Sequence, residues 1–364
     1  MAEIHAARRA RARAKVIEKQ ADAALITSLP NVRYLTGLVS SNAALLLPAD
    51  GPEVLATDSR YAQAAARDCP ELELVCERFI EPALIKAAIG RGLRSVAFEA
   101  QQMTVERHQE LLALDGGLAL FPFGRAVESL RVVKDEAEIA LLARACEITS
   151  DAFSQMLAAI APGVTEREFA IGLERAMTDG GAEALAFDTI VASGPNGAIP
   201  HHRPGTRAFE PGDLITIDCG ARYAGYHADM TRTVALGEPA GWQREIYDLV
   251  AAAQRAGVGA ARHGVDVSVV DAAARDLIEA AGYGGNFQHG VGHGVGLEVH
   301  EDPMIGYTGT GTLADRTPIT VEPGIYLPGK GGVRIEDTLV VRSGDEMTGA
   351  ADLLTTTTRE LLVR

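Results

Sequence analysis

The chain has 364 residues, of which 47% are hydrophobic and 23% are charged, so it is long enough to fold into two domains with cores of their own. Its net charge of −15 argues against nucleic acid as the main partner, because phosphate binding favours a basic surface. No run reaches the roughly 18 to 20 apolar residues of a membrane span, and no apolar segment follows the basic N-terminus. The four cysteines form no CxxC pair, which favours reduced thiols. The sequence therefore predicts a cytoplasmic protein without a membrane partner.

The first part of the chain is typical of an α/β segment. An arginine-rich stretch over residues 6–20 is rich in helix formers, so it predicts a helix with its charges on a solvated face. The pair Pro30-Asn31 predicts a turn. Further helices are expected at 58–67, 82–89 and 105–114, and strands at 24–28, 43–47, 53–56 and 95–98.

A change of pattern around residues 128–135 predicts the start of a long amphipathic helix and a domain boundary. Thr165 and Glu168 have the spacing of a capping box, which predicts a helix over residues 166–179. Strand-like, glycine-rich sequence follows from residue 186, with a helix pair at 245–261 and 267–281 inside it. The order of helices, strands, helices and strands predicts an α+β fold.

Residues 212–233 predict a hairpin that carries one aspartate on each arm. A β-branched run ends at Asp218, Cys219-Gly220 is expected to open the turn, and the chain returns towards Asp229. A buried and unpaired carboxylate costs several kcal/mol or takes up a proton, so two close together call for a cation.

Two more carboxylates, Glu322 and Glu336, interrupt apolar strand-like sequence, and His293 lies in a segment rich in glycine and histidine. Hard oxygen donors with one imidazole suit Mn²⁺ first, and also Co²⁺, Fe²⁺ or Zn²⁺, whereas a thiolate site would need clustered cysteines. Four carboxylates and one histidine are a better match to two divalent metal ions that share bridging carboxylates than to a single ion.

These residues resemble the metal ligands of the pita-bread metallopeptidase family, which includes methionine aminopeptidase, Xaa-Pro aminopeptidase and prolidase. The family's ligands, in the order Asp, Asp, His, Glu and Glu, fall on Asp218, Asp229, His293, Glu322 and Glu336. The resemblance implies that Asp218 binds one metal, that His293 and Glu322 bind the other, and that Asp229 and Glu336 bridge both.

The first half resembles the N-terminal domain of Xaa-Pro peptidases and creatinase at residues 31–37 (NVRYLTG) and 58–62 (DSRYA), and residues 128–134 resemble the interdomain junction. Methionine aminopeptidases lack that domain, and creatinases lack the metals. The resemblance implies a creatinase/prolidase-like α/β domain at residues 1–131 and a pita-bread catalytic domain at 132–364, α+β as a whole. It points to an Xaa-Pro peptidase.

Two further histidines resemble those that position substrate and stabilise the tetrahedral intermediate. They are His201, which follows a proline, and His300, which lies in an EVHE motif. His202 stands where relatives often have glycine, so the role is assigned to His201. The implied nucleophile is a metal-bridged hydroxide, with Glu322 as the proton shuttle.

His289 and Arg334 are the remaining candidates, as residues that line the substrate site. Arg334 would either orient Glu336 or bind a substrate carboxylate, and the sequence leaves both open. The loop at 306–318 departs from the family pattern close to the EVHE motif, so it is expected to alter the rim of the substrate site.

The best hypothesis for function is an Xaa-Pro dipeptidase (prolidase) that acts on Xaa-Pro dipeptides or short proline-containing peptides. An Xaa-Pro aminopeptidase acting on longer peptides is the nearest alternative. A non-peptide hydrolase or lyase, suggested by the 306–318 loop, and a catalytically silent binding module are the others. The resemblance also implies a homodimer in which the N-terminal domain rims the partner's pocket.

Overall fold

The computed structural model describes residues 2–114, 116–344 and 351–364. The chain divides into two compact units, residues 1–131 and 132–364. In the part of the chain that the structure describes, no helix combines the length and the apolar character needed to cross a membrane.

The N-terminal unit alternates helices with short, largely buried strands. Its elements are α1 (Ala2–Glu18), β1 (Ala23–Ile26), α2 (Leu29–Thr36), β2 (Ala43–Pro48), β3 (Val54–Thr57), α3 (Ala62–Asp68), β4 (Glu73–Cys76), α4 (Ile80–Gly90), β5 (Ser95–Phe98), α5 (Val105–Leu112), β6 (Ala119–Pro122) and α6 (Ala126–Arg131). They form a six-stranded mixed sheet in the order β4-β3-β2-β1-β5-β6. The strands predicted here are confirmed, because apolar runs bounded by turn residues were a sufficient signal.

The arginines of α1 do not all lie on a solvated face, so that part of the prediction was wrong. Arg8 and Arg9 are only 6% and 3% exposed. They donate to the carbonyl oxygens of Tyr34 and Leu35, at 3.3 Å and 3.0 Å, near the C-terminal end of α2. The last carbonyls of a helix lack helical donors, and cations there are favoured by the helix dipole.

Pro30 does not form a turn with Asn31, because it lies in the first turn of α2. A proline costs little there, since its missing N–H would have no helical acceptor. The helix start is tied instead by the buried carboxylate of Glu99, which accepts from the backbone N–H of Thr27 and Ser28 at 2.6 Å and 2.7 Å.

The C-terminal unit begins with helices and continues with paired strands. Its elements are α7 (Glu136–Met156), α8 (Glu166–Asp179), β7 (Ala184–Leu185), β8 (Ile190–Ser193), β9 (Leu214–Cys219), β10 (Ala221–Tyr223), β11 (Tyr226–His227), β12 (Met230–Ala235), α9 (Gly241–Ala260), α10 (Val267–Ala280), β13 (Gly292–Gly294), β14 (Glu301–Ile305), β15 (Pro318–Val321), β16 (Gly324–Leu327), β17 (Gly331–Arg334), β18 (Asp337–Val340), β19 (Asp352–Leu353) and β20 (Leu362–Val363). The two larger sheets have the orders β20-β12-β9-β8 and β14-β13-β15-β18-β19.

Capping boxes define where the first two helices of this unit begin. Thr165 accepts from the backbone N–H of Glu168, whose side chain in turn accepts from the N–H of Thr165. The predicted box and the predicted helix bounds are therefore confirmed. Asp135 and Glu138 make the same exchange at the start of α7.

The predicted aspartate hairpin is present, but its turn is elsewhere. β9 and β12 pair antiparallel, with Asp218 opposite Thr231. The chain does not turn at Gly220. It continues through β10 and reverses at Ala224 and Gly225, which have positive φ angles of 47° and 88°. Gly220 matters because another backbone segment approaches it too closely for any side chain.

We expect Gly220→Ala to lower the free energy of unfolding by about 1–3 kcal/mol, the usual cost of overpacking. A Cβ atom at this position would lie only 1.9 Å from the carbonyl oxygen of Ala228. Urea unfolding followed by circular dichroism measures the change. Gly259→Ala is the matched control, since Gly259 lies in α9 with nothing within 4 Å of an added Cβ, and alanine favours the helix. Equal stability of the two variants would contradict the close approach at Gly220.

Candidate metal centre

All five predicted ligand residues line one cleft of the C-terminal unit. His293 Nε2 lies 3.6 Å from Asp229 Oδ2 and 3.4 Å from Glu322 Oε1. Ligand atoms of Asp229, His293 and Glu336 all lie within 4.8 Å of one another. Asp218 lines the same wall on β9. The fold therefore brings together residues that are more than 100 positions apart in the sequence.

Strand register places the two glutamates side by side. In the antiparallel pair β15 and β18, Val321 lies opposite Asp337, so Glu322 and Glu336 both come at the same end of this pair. The sequence predicted that these glutamates interrupt strands. The structure agrees, because Glu322 lies in the short break between β15 and β16, and Glu336 lies in that between β17 and β18.

Backbone hydrogen bonds hold both glutamates of the cluster to neighbouring strands. Glu336 N–H donates to the carbonyl oxygen of Thr231 at 3.1 Å, next to Asp218 in the β9–β12 register. Glu322 N–H donates to the carbonyl oxygen of Val291 at 2.7 Å, immediately before β13. The backbone positions of the two glutamates are thus set by main-chain pairing.

Two carboxylate oxygens of the cluster are buried without a hydrogen-bond donor in the described part of the chain. They are Asp218 Oδ1 and Glu336 Oε1. The other oxygen of Asp218 accepts from Arg334 Nη2 at 2.7 Å, and the other oxygen of Glu336 accepts from the Thr231 hydroxyl at 2.7 Å. A buried acceptor left open costs about 1–3 kcal/mol, and more when charged, unless a donor or a cation binds it. The donor set fits divalent cations, which prefer carboxylate oxygen and imidazole nitrogen.

Burial raises the pKa of Asp229 and Glu336 well above the usual carboxyl range, and the charges of neighbouring carboxylates raise both further. Burial also raises the pKa of Asp218, although the nearby Arg334 guanidinium opposes this. Like charges in a low-dielectric site disfavour ionisation. The cluster without a cation therefore favours protons on its carboxylates, and cations that bind must displace them.

Glu322 is the carboxyl group of this cluster whose pKa is lowered rather than raised, and its partner is His293. Burial alone would raise the pKa of Glu322, but the hydrogen bond and charge of His293 outweigh it and lower that pKa to about 2. Burial likewise opposes the charged form of His293, yet Glu322 raises its pKa overall. His293 Nδ1 donates to the carbonyl oxygen of Gly294 at 3.0 Å, which leaves Nε2 directed at the carboxylates.

Comparison with known families follows the same division of the chain. The profile of metallopeptidase family M24 matches residues 140–343, and that of the creatinase/prolidase N-terminal domain matches residues 8–133. The chain belongs to metallopeptidase family M24. The family inferred from the five ligand residues is confirmed, and so is an N-terminal creatinase-like domain followed by a pita-bread catalytic domain.

Relatives of this metallopeptidase resemble it over nearly their whole length. An Xaa-Pro dipeptidase of Pyrococcus horikoshii is 36% identical over 94% of this chain and 94% of its own. The structure of an Xaa-Pro dipeptidase from Bacillus anthracis superposes with a TM-score of 0.94 at 34% identity, covering 99% of this chain and 100% of that one. An X-Pro aminopeptidase from Thermotoga maritima has a TM-score of 0.89 at 35% identity, covering 98% and 99%.

The two histidines of the metallopeptidase that were predicted to be catalytic, His201 and His300, line the same cleft as the cluster. The ring of His300 lies edge-on to that of His293, with centroids 4.4 Å apart. Burial lowers the pKa of His300, and the charges of His293 and His201 lower it further. A neutral imidazole that still carries an N–H is thereby favoured at His300.

His289 and Arg334 are joined through Tyr326, a residue that the sequence did not single out. The Tyr326 hydroxyl lies 2.9 Å from His289 Nε2 and accepts from Arg334 Nη1 at 2.9 Å. Arg334 is 3% exposed and also donates to Asp218 and to the Thr231 hydroxyl. Arg334 therefore contacts Asp218 directly, and Thr231 lies between Arg334 and Glu336.

Sequence reasoning missed the residues that hold the glutamate end of the cluster. Arg232 is buried in β12, donates to the carbonyl oxygen of Glu336, and forms an ion pair with Asp337 at 2.7 Å. Gln254 Nε2 donates to the same aspartate at 2.7 Å. A charged residue in a buried strand was the signal that identified the ligands, and Arg232 in the run MTRTVA carried that signal too.

The cleft has a volume of about 1160 Å³, and two large apolar side chains of its lining are exposed. Met304 and Tyr307 are 50% and 73% exposed there. Residues 306–310, part of the loop that departs from the family pattern, line the cleft. The unusual sequence of this loop therefore lies where a substrate would enter.

Loading with Mn²⁺ at 100-fold the dissociation constant should stabilise the metal-stripped protein by about 2.7 kcal/mol for each site filled, because cations bind the folded cluster and not the unfolded chain. Asp229→Asn should remove most of this gain, since Asp229 lies within the group formed with His293 and Glu336. Thermal unfolding and metal analysis by atomic emission measure both quantities. Asp179→Asn, an exposed site at the end of α8, is the control and should bind metal like the native chain. A full stabilisation of Asp229→Asn would contradict the assignment.

Thr231→Val should weaken metal binding about 10- to 100-fold, the usual effect of removing a hydrogen bond to a ligand. The hydroxyl donates to Glu336 and accepts from Arg334, and valine keeps its shape without either bond. Competition with a chromogenic chelator measures the affinity. Thr357→Val is the control, because that buried hydroxyl contacts Met230 Sδ rather than a carboxylate. Equal metal affinities in the two variants would contradict this role for Thr231.

Proposed function

We propose that the protein is a dinuclear metal-dependent exopeptidase that hydrolyses Xaa-Pro bonds, with Xaa-Pro dipeptides as the first choice of substrate. The observation that supports this most is the group of Asp229, His293 and Glu336. Two buried oxygens of the cluster, Asp218 Oδ1 and Glu336 Oε1, have no hydrogen-bond donor in the described part of the chain. Full-length similarity to proteins named Xaa-Pro dipeptidase supports the substrate class.

The five residues would divide two cations between them. Asp218 would bind one, His293 and Glu322 the other, and Asp229 and Glu336 both. When bound, two divalent ions would lower the pKa of a water between them and polarise the scissile carbonyl. Mn²⁺ is the proposed metal, with Co²⁺, Zn²⁺ and Fe²⁺ as alternatives that suit the same donors.

The remaining chemistry falls to side chains of the cleft. Glu322 would accept the proton of the attacking water and pass it to the leaving imino nitrogen. His300, whose pKa is lowered by burial, would donate its N–H to the developing oxyanion, together with His201. Both histidines line the same cleft as Glu322.

Direct substrate binding by His289 and Arg334 remains a prediction. The contacts of Arg334 favour another role, because its guanidinium donates to Asp218, Thr231 and Tyr326 and has little exposed surface. It would then hold Asp218 in place and offset the charge of the carboxylates. His289 would orient Tyr326 in the same chain of hydrogen bonds.

An Xaa-Pro aminopeptidase is the second candidate, and two observations favour it. A cleft of about 1160 Å³ exceeds what a dipeptide needs, and a relative with a TM-score of 0.89 is named X-Pro aminopeptidase. A silent binding module is disfavoured, because all five ligand residues are present. The homodimer and the cytoplasmic location stay predictions from the sequence.

The manganese-loaded enzyme should cleave an Xaa-Pro dipeptide at least about 10-fold faster than the matching Xaa-Ala dipeptide, a difference within the reach of pocket contacts. An Xaa-Pro-Yaa tripeptide in the same series decides between the two candidates. Release of the free N-terminal amino acid, followed by liquid chromatography, measures the three rates.

Asp229→Ala should show no turnover of any of these peptides, whereas Asp179→Asn should match the native enzyme. Faster cleavage of the tripeptide than of the dipeptide would favour the aminopeptidase. No proline-dependent cleavage with any of the four metals would overturn the proposed function.

A further inference from the structure

His201 lies in a segment, residues 193–205, that leaves the end of β8 and runs along the cleft. A short 3₁₀ turn at Gly194–Ala198 comes first, and Pro200 and His201 follow. His201 itself is exposed to the cleft and lines it. An exposed side chain on a connecting segment needs some rigid element to fix its direction.

Glu166 supplies contacts to the first part of this segment. It is the first residue of α8, and its side chain is fully buried. Its Oε1 accepts from Ser193 N–H at 2.9 Å, from the Ser193 hydroxyl at 2.8 Å and from Asn196 Nδ2 at 2.9 Å. These three hydrogen bonds to one oxygen fix the first part of the segment to Glu166.

The second oxygen of Glu166 contacts the other end of the segment. Oε2 lies 2.8 Å from His202 Nε2, which donates to it, and accepts from Gly205 N–H at 3.0 Å. The two oxygens of one carboxylate thus hold both ends of the segment, with His201 between them. His202, which the sequence left without a role, is one of these donors.

We propose that Glu166 is a positioning residue that fixes His201 towards the cleft by holding both ends of the segment 193–205. This role rests on the proposed function of His201 as an oxyanion donor. The carboxylate is itself rigid, because the backbone N–H of Glu166 donates to the carbonyl oxygen of Arg207 at 3.0 Å and the preceding Thr165 caps the helix.

The segment has further contacts besides those of Glu166. The N–H of His202 donates to the carbonyl oxygen of Ile199 at 3.2 Å, which closes a turn around Pro200 and His201. The carbonyl oxygen of Pro200 accepts from Arg334 at 3.3 Å, at the long end of hydrogen-bond distances. Gly197 packs close to Gly332, which limits the 3₁₀ turn but not the residues that follow it. Glu166 thus ties this turn to α8, through its bonds to Ser193 and Asn196 on one side and to His202 and Gly205 on the other.

Glu166→Gln tests the role with little change in shape. The amide of glutamine replaces one carboxylate oxygen, an acceptor, with an NH₂ group, a donor. That NH₂ group would face the N–H and O–H donors of the segment, so the hydrogen bonds at one end of the segment are lost. We expect kcat for the Xaa-Pro dipeptide to fall about 10- to 100-fold, as misplaced catalytic groups do, with KM within about 3-fold. Asp179→Asn, which removes one charge from the same helix, is the control and should keep both constants.

The double variant Glu166→Gln/His201→Ala separates positioning from general damage. If Glu166 acts through His201, the double variant is no slower than His201→Ala alone. Losses that multiply in the double variant would overturn the proposal. Should Glu166→Gln fail to fold, Asn196→Ala removes one bond from the half-buried edge of the anchor, and the same non-additivity with His201→Ala is expected.

Hydrogen exchange followed by mass spectrometry on the metal-free protein gives a readout that does not need activity. Exchange of peptides that cover residues 193–205 should speed up in Glu166→Gln and remain native in Asp179→Asn. Unchanged exchange in a folded Glu166→Gln would overturn the anchor. If native enzyme cleaves no Xaa-Pro peptide, the proposed function fails on that result, and the exchange data still decide whether Glu166 holds the segment.

Discussion

Repulsion among buried carboxylates is the constraint on which the site depends. Burial and the neighbouring acids raise the pKa of Asp229 and Glu336 well above the usual range. Such a cluster is stable only with protons or cations in it, because charges of one sign repel strongly where water is scarce. The open oxygens of Asp218 and Glu336 fit cations as the native occupants. The repulsion within the acidic cluster thus explains why a protein of this family requires metal ions.

The fold meets this constraint by holding the acids from outside the cluster. Thr231 bonds both Glu336 and Arg334, and Arg232 joins the Glu336 carbonyl to Asp337. Thr231 and Arg334 lie in strands whose register is set by main-chain pairing, so the side chain and backbone of Glu336 are held with little freedom. Preorganisation of this kind lowers the entropy lost when a metal or a substrate binds.

Much of the fold could be predicted from local sequence patterns, and the predictions that failed depended on other parts of the chain. The capping box at Thr165 and the strands of the N-terminal sheet follow from signals within a few residues. The turn expected at Gly220 was wrong because a glycine marks either a turn or a close approach, and only the position of a distant carbonyl tells which. Arg8 and Arg9 were misplaced for the same reason, since their acceptors belong to another helix.

The sequence by itself determined the chemistry of this protein. Carboxylates such as Asp218 in apolar sequence predict a bound cation, and the order of these residues along the chain identifies the family. Only the tertiary structure decided which side chains support that chemistry. Glu166, Thr231 and Tyr326 are ordinary residues in their own segments, and their roles depend on partners up to 105 positions away. Residue types and local patterns can be read from the sequence, whereas the distances between side chains on different strands are set only when the sheets pack.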